Sequence, residues 1–361
     1  MKLEHSKIKY SKLKIFHYQD KLNSLSKDTN TILPPIHIRL KPTNVCNHNC
    51  WYCAYHQDDF QLGQDMVMKD SIPEDKMMEI IDDISDMGVK AVTFSGGGEP
   101  LYYRHIDETL KKLADNNISF AALTNGSYLK ETTADLFAQY GTWLRISIDG
   151  WDDISYKKYR RCKDGEYSRV IENIRKFKQR KSACVLGISF ILDKDNVKHI
   201  EKQMNLFKSI GVDSVKLSAV IVSNDSKENN RYHAPIFSQT KETIRKIKEE
   251  LECDDFEIFD AYHELDENFT KNYNWCPYTQ ITPVIGADQN VYSCHDKAYN
   301  FDSGLLGSIK KQSFKKFWLS DKNQFFKIDP SKDCNHHCVV NTHNKLILEY
   351  VELDKEHIEF V

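Results

Sequence analysis

The sequence predicts an α/β fold of repeated strand–helix units, and three observations carry that expectation. Six short β-rich runs recur along the first two thirds of the chain: IHIRL (36–40), AVTFSG (91–96), SFAALTNG (119–126), WLRISIDG (143–150), CVLGISFIL (184–192) and SVKLSAVIV (214–222). Stretches with helical spacing of apolar residues separate them. Four of the first runs end in polar residues, glycines or both, as strand ends beside a site do.

Taken in order, residues 1–35 are polar and lysine-rich up to Pro34-Pro35 and predict an extension packed outside the main domain. After the first run, Met77, Met78, Ile80, Ile81, Ile84 and Met87 recur at helical spacing. Ser71-x-x-Glu74 reads as their capping box, with Pro73 in the first turn. Similar patterns predict helices near 104–116, 129–140, 166–181, 196–210 and 238–252, and the polar stretch 223–237 reads as a loop. Such units imply parallel strands joined by right-handed crossovers. A closed eight-fold barrel needs more chain than this, which leaves an open partial barrel or a doubly wound sheet. After 270 the rhythm stops, and short strands (ITPVI, NVYSC) flank a turn at 286–290.

The 361 residues are ample for a large core. Charged residues make up 29%, yet the formal net charge is only −3. No nucleic-acid or membrane partner is therefore expected. No apolar run reaches the length of a membrane span, and the opening MKLEHSKIKYSKLKIFHY has no apolar signal-peptide segment. A cytoplasmic location is expected, where ten cysteines stay mostly reduced and point to metal or catalytic roles.

Cys46, Cys50 and Cys53 form C-x3-C-x2-C just after the first strand, and Cys276, Cys294, Cys334 and Cys338 gather in the tail. Zinc is one reading of the first set, with His48 or His56 as fourth ligand. The other is a four-iron cluster held by three thiolates, which leaves one iron open. The second run leads into Ser95-Gly96-Gly97-Gly98-Glu99-Pro100, where absent side chains let the backbone approach a ligand.

Together these motifs resemble the radical S-adenosylmethionine (SAM) enzymes over about residues 36–222. Cys46, Cys50 and Cys53, with Tyr52 before the last, match that family's C-x3-C-x-aromatic-C, and Gly97-Gly98-Glu99-Pro100 matches its GGEP segment. The resemblance implies a partial (β/α)6 TIM-like barrel. It implies a [4Fe–4S] cluster on the three thiolates, with SAM chelating the open iron, and reductive cleavage of SAM to a 5′-deoxyadenosyl radical that takes hydrogen from a substrate carbon. It further implies SAM contacts from Gly96, Gly97, Gly98 and Glu99, from Asn125 and Ser147 at strand ends, and from Tyr52 beside the adenine. Arg160 would pair with the SAM carboxylate, a match its fork geometry suits. Asp149 is either a further contact or a turn residue.

The tail resembles the SPASM/twitch extensions that follow many such barrels, through Cys276-Pro277, VYSC (291–294), LGSI (306–309) and SFKKFW (313–318). This implies a small cysteine-rich domain with an auxiliary [4Fe–4S] cluster on Cys276, Cys294, Cys334 and Cys338. Zinc is the competing occupant, with His336 and His337 nearby. The expected organisation is an extension (1–35), the barrel core (36–225), a connecting loop and helix (226–270), the cluster domain (271–345) and a tail (346–361). One auxiliary cluster resembles the twitch-type alcohol dehydrogenases, so oxidation of a small polar metabolite, sugar- or cyclitol-like, is the leading expectation. An external one-electron donor such as flavodoxin or ferredoxin is expected with it. The alternatives are maturation of a peptide or protein, and epimerisation with Cys162 as hydrogen donor. A base for the dehydrogenation remains open among Asp225, His233 and Asp260.

Overall fold

The computed structural model describes residues 11–57, 60–263, 269–354, 356 and 359. Parts of the expected extension, linker and tail therefore lie outside the described residues. The six runs form β1 (His37–Leu40), β2 (Ala91–Phe94), β3 (Ser119–Thr124), β4 (Trp143–Ser147), β5 (Val185–Leu192) and β6 (Ser214–Ala219), each parallel to the next. A seventh parallel strand, β7 (Glu257–Ala261), pairs with β6 inside the segment expected to be linker. Its EIFDA sequence is short and acid-flanked, so its β signal was weak. The strand order is unbroken from β1 to β7. A doubly wound sheet would reverse its order beside β1, so this order selects the partial barrel that periodicity left open.

The tail strands β8 (Val284–Ile285), β9 (Asn290–Tyr292) and β10 (Leu305–Ser308) extend the same sheet. β8 pairs in parallel with β1, and β9 and β10 follow as antiparallel neighbours. The cysteine-rich tail is thereby stitched to the barrel edge beside the first cysteine loop. A separate apolar cluster of Val284, Tyr292, Ala298 and Tyr299, with Tyr55, Leu62 and Met66 against it, holds the two together.

Strand burial alternates. In β1 Ile38 and Leu40 are fully buried while His37 and Arg39 are only partly so. β4 repeats this with Leu144 and Ile146 against Trp143, Arg145 and Ser147. One face packs on helices and the other lines a polar lumen. The helix between β1 and β2, Glu74–Asp86, buries Met77, Ile80, Ile81 and Ile84, each contributing about 1.5–3 kcal/mol of transfer free energy. Its expected capping box does not form, because Pro73 is the N-cap and Ser71 turns to Thr43, hydroxyl to hydroxyl at 2.5 Å. Helices at 106–115, 131–140, 166–179, 200–209 and 237–251 fall where periodicity placed them.

Among the described residues of the barrel, two α-helices were missed, and the tail helix Asn341–Val351 was not expected either. Asp153–Arg160 begins with a capping box between Asp152 and Ser155. Ser226–His233 occupies the expected loop; Asp225 caps it, accepting from the Lys227 N–H at 2.8 Å. Both are so polar that no apolar stripe announces them. In the described part of the N-terminal segment, Leu22 and Leu25 pack in one apolar cluster with Ile281 and Ile347 of the tail.

Candidate active site

The first cysteine loop leaves β1 and is pinned from several sides. His48 is buried, with Nε2 3.3 Å from Glu166 Oε1 and 3.3 Å from Ser127 Oγ. Burial and the nearby Arg160 and Arg169 push its pKa down to about 3, so it stays neutral. His48 is thus a fastener of the loop, and nothing draws it toward the thiols as a fourth ligand. His56 likewise faces Asn49 Oδ1 at 3.1 Å. Further along, backbone N–H groups of Asn49 and Trp51 donate to the carbonyls of Arg160 and Tyr159 at 2.9 and 3.2 Å. Burial pushes the thiols of Cys46 and Cys53 up to about 12 and about 11. Desolvation outweighs Arg160 and Lys41, which act on Cys53, so both thiols stay protonated, and a metal centre is what converts such a set to thiolates.

Gly96, Gly97 and Gly98 form a tight arch. A Cβ on Gly98 would lie 2.1 Å from the Val45 carbonyl oxygen, and one on Gly97 would lie 2.1 Å from Asn44 Oδ1. The arch is tied to the cysteine loop through Gly98 N–H to the Thr43 carbonyl (3.1 Å) and Glu99 N–H to the Val45 carbonyl (3.0 Å). Lys41, which sequence reasoning passed over, donates to the Gly96 carbonyl at 2.6 Å and to the Tyr55 hydroxyl.

Glu99 is buried, and its carboxylate accepts from Thr124 Oγ1 (2.5 Å) and from the N–H groups of Leu101 (3.0 Å) and Asn125 (2.7 Å). It therefore staples the end of β2 to the end of β3. Asn125 reaches across to Asn47 Oδ1 at 2.8 Å, inside the cysteine loop. Ser147 ends β4 half-buried on the lumen face. Asp149 is no mere turn residue: fully buried, it accepts from the Tyr52 hydroxyl, from Arg160, and from the Ile191 N–H at 2.9 Å. Arg160 meets Asp149 through Nη2, and its Nη1 lies 3.7 Å from Cys50 Sγ. The Arg160 fork is thus largely engaged within the chain.

Three buried polar atoms around this arch have no protein partner: Asn44 Oδ1, Ser95 Oγ and Arg160 Nε. A cluster of unsatisfied groups next to three thiols and an exposed backbone arch is the setting a polar cofactor completes. The donor set fits a [4Fe–4S] cluster and SAM.

Because the Asp149–Arg160 pair is almost wholly desolvated, with side chains 0% and 5% exposed, removing one partner strands the other. Arg160→Met is expected to lower the stability of the cluster-free chain by about 3 kcal/mol, read from urea unfolding midpoints.

In the tail, Cys276, Cys294, Cys334 and Cys338 line one small cavity. Burial pushes Cys334 up to about 12 and Cys294 well above its usual range. Two buried lysines stand beside them. Lys271 donates to the His336 carbonyl and Lys297 to the Asp333 carbonyl. Asp296, His336 and Cys338 also bring their ligand atoms within 4.8 Å of one another. His336 Nδ1 faces Gln61 Oε1 at 2.8 Å.

A cleft of about 360 Å³ opens at the C-terminal ends of β5, β6 and β7. Tyr52 and Ala54, on either side of Cys53, form one wall; His337 and Val339, on either side of Cys338, form another. Ile191, Lys216 and Ser218 of the strands form its floor. A second cleft of about 370 Å³ lies at the opposite strand ends, beside His37, Ala91 and Trp143, away from all these cysteines.

Other expected residues fall elsewhere. Cys162 packs half-buried against the main core and does not line the cleft. The three candidate bases are occupied structurally: Asp225 as a helix cap, Asp260 paired with Lys241, and His233 bonded to the Val220 carbonyl at 2.9 Å.

The comparisons agree with this geometry. Residues 40–207 match the Radical SAM superfamily model. A probable GTP 3′,8-cyclase of Methanocaldococcus jannaschii is 28% identical over 58% of this chain and 67% of its own length. A cysteine-type anaerobic sulfatase-maturating enzyme of Clostridium novyi is 25% identical over 82% of this chain and 84% of its own. The chain spans between 30% and 67% of the length of the first curated relatives it matches. Among solved structures, Streptococcus suis SuiB bound to S-adenosylmethionine shares the fold at a TM-score of 0.61 and 16% identity, covering 85% of this chain and 71% of that one. Among the described residues no helix is long and apolar enough to cross a membrane. The three-cysteine loop and the glycine arch lie inside the matched segment, and residues 40–207 of this chain are a radical SAM domain.

Proposed function

We propose that this chain is a radical SAM oxidoreductase that oxidises a small polar, sugar- or cyclitol-like alcohol held between two iron–sulfur clusters. The observation that carries the reading is the cleft lined both by the residues flanking Cys53 and by those flanking Cys338. In it a substrate would sit within reach of both cysteine sets. When bound, cluster and SAM supply a reductively generated 5′-deoxyadenosyl radical and the auxiliary cluster supplies an electron acceptor.

The chain's own residues bind and orient. Cys46, Cys50 and Cys53 hold the first cluster, while the Gly96–Gly98 arch, Glu99, Asn125, Ser147 and Arg160 shape the SAM pocket. Asp149 keeps Tyr52 and Arg160 in place. Cys276, Cys294, Cys334 and Cys338 hold the auxiliary cluster, and Lys271 and Lys297 offset part of its thiolate charge. Four cysteines lining one cavity would ligate such a cluster fully, and the chemistry it would supply there is electron transfer rather than substrate binding. A flavodoxin- or ferredoxin-like donor would reduce the first cluster.

Anaerobic reconstitution tests this directly. The chain is expected to bind about eight irons, to form 5′-deoxyadenosine from SAM with a reductant, and to consume one SAM per ketone formed from an alcohol substrate. Cys294→Ala is expected to lose about half of that iron and all ketone formation while still cleaving SAM. Failure of the wild type to cleave SAM with its clusters loaded would defeat the proposal.

A further inference from the structure

Asp296, His336 and Cys338 of the tail each bring one ligand atom within 4.8 Å of the other two. Among the described residues theirs is the one such set of three His, Cys, Asp or Glu side chains. Asp296 stands two residues after Cys294, and His336 lies between Cys334 and Cys338. His336 and Cys338 are only 5% and 6% exposed. His336 Nδ1 faces Gln61 Oε1 at 2.8 Å. A carbonyl oxygen can only accept, so Nδ1 carries the hydrogen and Nε2 keeps its lone pair. That Nε2 is buried with no hydrogen-bond partner among the described residues, and so is Asp296 Oδ2. Asp296 Oδ1 is held by His295 Nε2 at 3.1 Å.

A histidine fixed through one nitrogen by a carbonyl oxygen, with its other nitrogen bare, is the arrangement metal-binding imidazoles adopt. A single ion gathers its ligand atoms to within about 4 Å of one another, because each lies about 2.0–2.3 Å from it. One imidazole, one carboxylate and one thiolate suit a borderline divalent cation such as zinc. The two anionic ligands neutralise a dication, so the nearby Lys271 and Lys297 meet a site without net charge. Position adds to this. Asp296 and His336 line a chamber of about 210 Å³ that shares Phe60, His337 and Val339 with the cleft. His336 and Cys338 also line the cavity of the four tail cysteines. The set stands between the two, and three protein ligands leave a fourth position for water or a substrate atom.

We propose that Asp296, His336 and Cys338 bind one divalent cation of the zinc class. Cys338 is also assigned to the auxiliary cluster, so cation and cluster compete for it; the competition rests on that assignment.

The test uses the full chain, purified anaerobically, stripped with a chelator and kept reduced, with cobalt(II) as the probe. Replacing Cys46, Cys50 and Cys53 together by alanine silences the first loop. One equivalent of cobalt is expected to bind with a thiolate-to-cobalt charge-transfer band, and zinc is expected to displace it. His336→Ala and Asp296→Asn should each weaken binding at least tenfold, and Gln61→Leu, outside the ligand set, about tenfold. Cys338→Ala should abolish the band, whereas Cys276→Ala should keep affinity and spectrum. Circular dichroism without metal identifies a ligand variant that fails to fold, and Gln61→Leu then replaces it. No bound equivalent would overturn the site. So would binding that survives His336→Ala and is lost in Cys276→Ala, which would assign the ion to the four thiols. In the otherwise unaltered chain, one equivalent of zinc added before reconstitution is expected to lower bound iron from about eight to about four, and His336→Ala should remove that effect. Iron content unmoved by zinc would overturn the competition. 5′-Deoxyadenosine formation by the zinc-free wild type reports separately on the radical SAM reading.

Discussion

Cys50→Ala is expected to reduce SAM cleavage to background and to remove about four of about eight bound irons. Cys50 lies mid-loop, and its sulfur is 3.7 Å from Arg160 Nη1. That guanidinium is in turn locked to Asp149, which also receives the Tyr52 hydroxyl. Arg160 therefore balances part of the charge a Cys50 thiolate would carry. Its burial and the neighbouring Asp149 raise the thiol's pKa, while Arg160 lowers it. Removing the sulfur leaves the loop's backbone ties at Asn49 and Trp51 in place, so the fold should persist. Iron and sulfide analysis together with 5′-deoxyadenosine yield separates this outcome from unfolding: a folded variant that still cleaves SAM would remove Cys50 from the ligand set.

Gly98→Ala is expected to be as damaging to function, by a different route. The new methyl would lie 2.1 Å from the Val45 carbonyl oxygen and 2.5 Å from the Asn44 carbonyl carbon. Those are backbone atoms of the segment that leads into Cys46, and they cannot rotate away as a side-chain tip can. Either the arch or the cysteine loop must move. Overpacking against backbone costs about 1–3 kcal/mol, and the displaced loop should lower cluster occupancy and SAM affinity together. Gly88→Ala is the control: its φ is +75° with nothing within 4 Å of the added carbon, so only backbone strain of about 1–2 kcal/mol applies. Thermal midpoints and iron content of the two variants are the measurements; equal iron content in both would show that the arch does not set the loop.

Some of this was legible along the chain. The period-2 and helical patterns place six strands and the helices that cross between them, because those patterns record which residues one element buries. The weak elements escaped for the same reason. β7 is short and charged at both ends, and Ser226–His233 buries only Asn229 and His233. One signal was available and passed over. Arg39 and Lys41 alternate with apolar residues along IHIRLK, two cations on one strand face, and Arg145 and Lys216 interrupt apolar runs in the same way.

The sequence by itself determined the reactive motif, since three cysteines within eight residues and a glycine arch are local features. Their spacing along a few covalent bonds already limits where the side chains can lie. The tertiary structure alone decided what surrounds that motif. Strand order, which separated the partial barrel from a doubly wound sheet, is a matter of hydrogen bonds between distant segments. The role of Glu99 as a staple to Asn125, and of Asp149 as the partner of Tyr52 and Arg160, depends on side chains from different strand ends meeting in a dry interior. The cleft joins residues beside Cys53 to residues beside Cys338. No sequence window contains such a contact. It exists because parallel strands stack in register and point their alternate residues into one shared lumen.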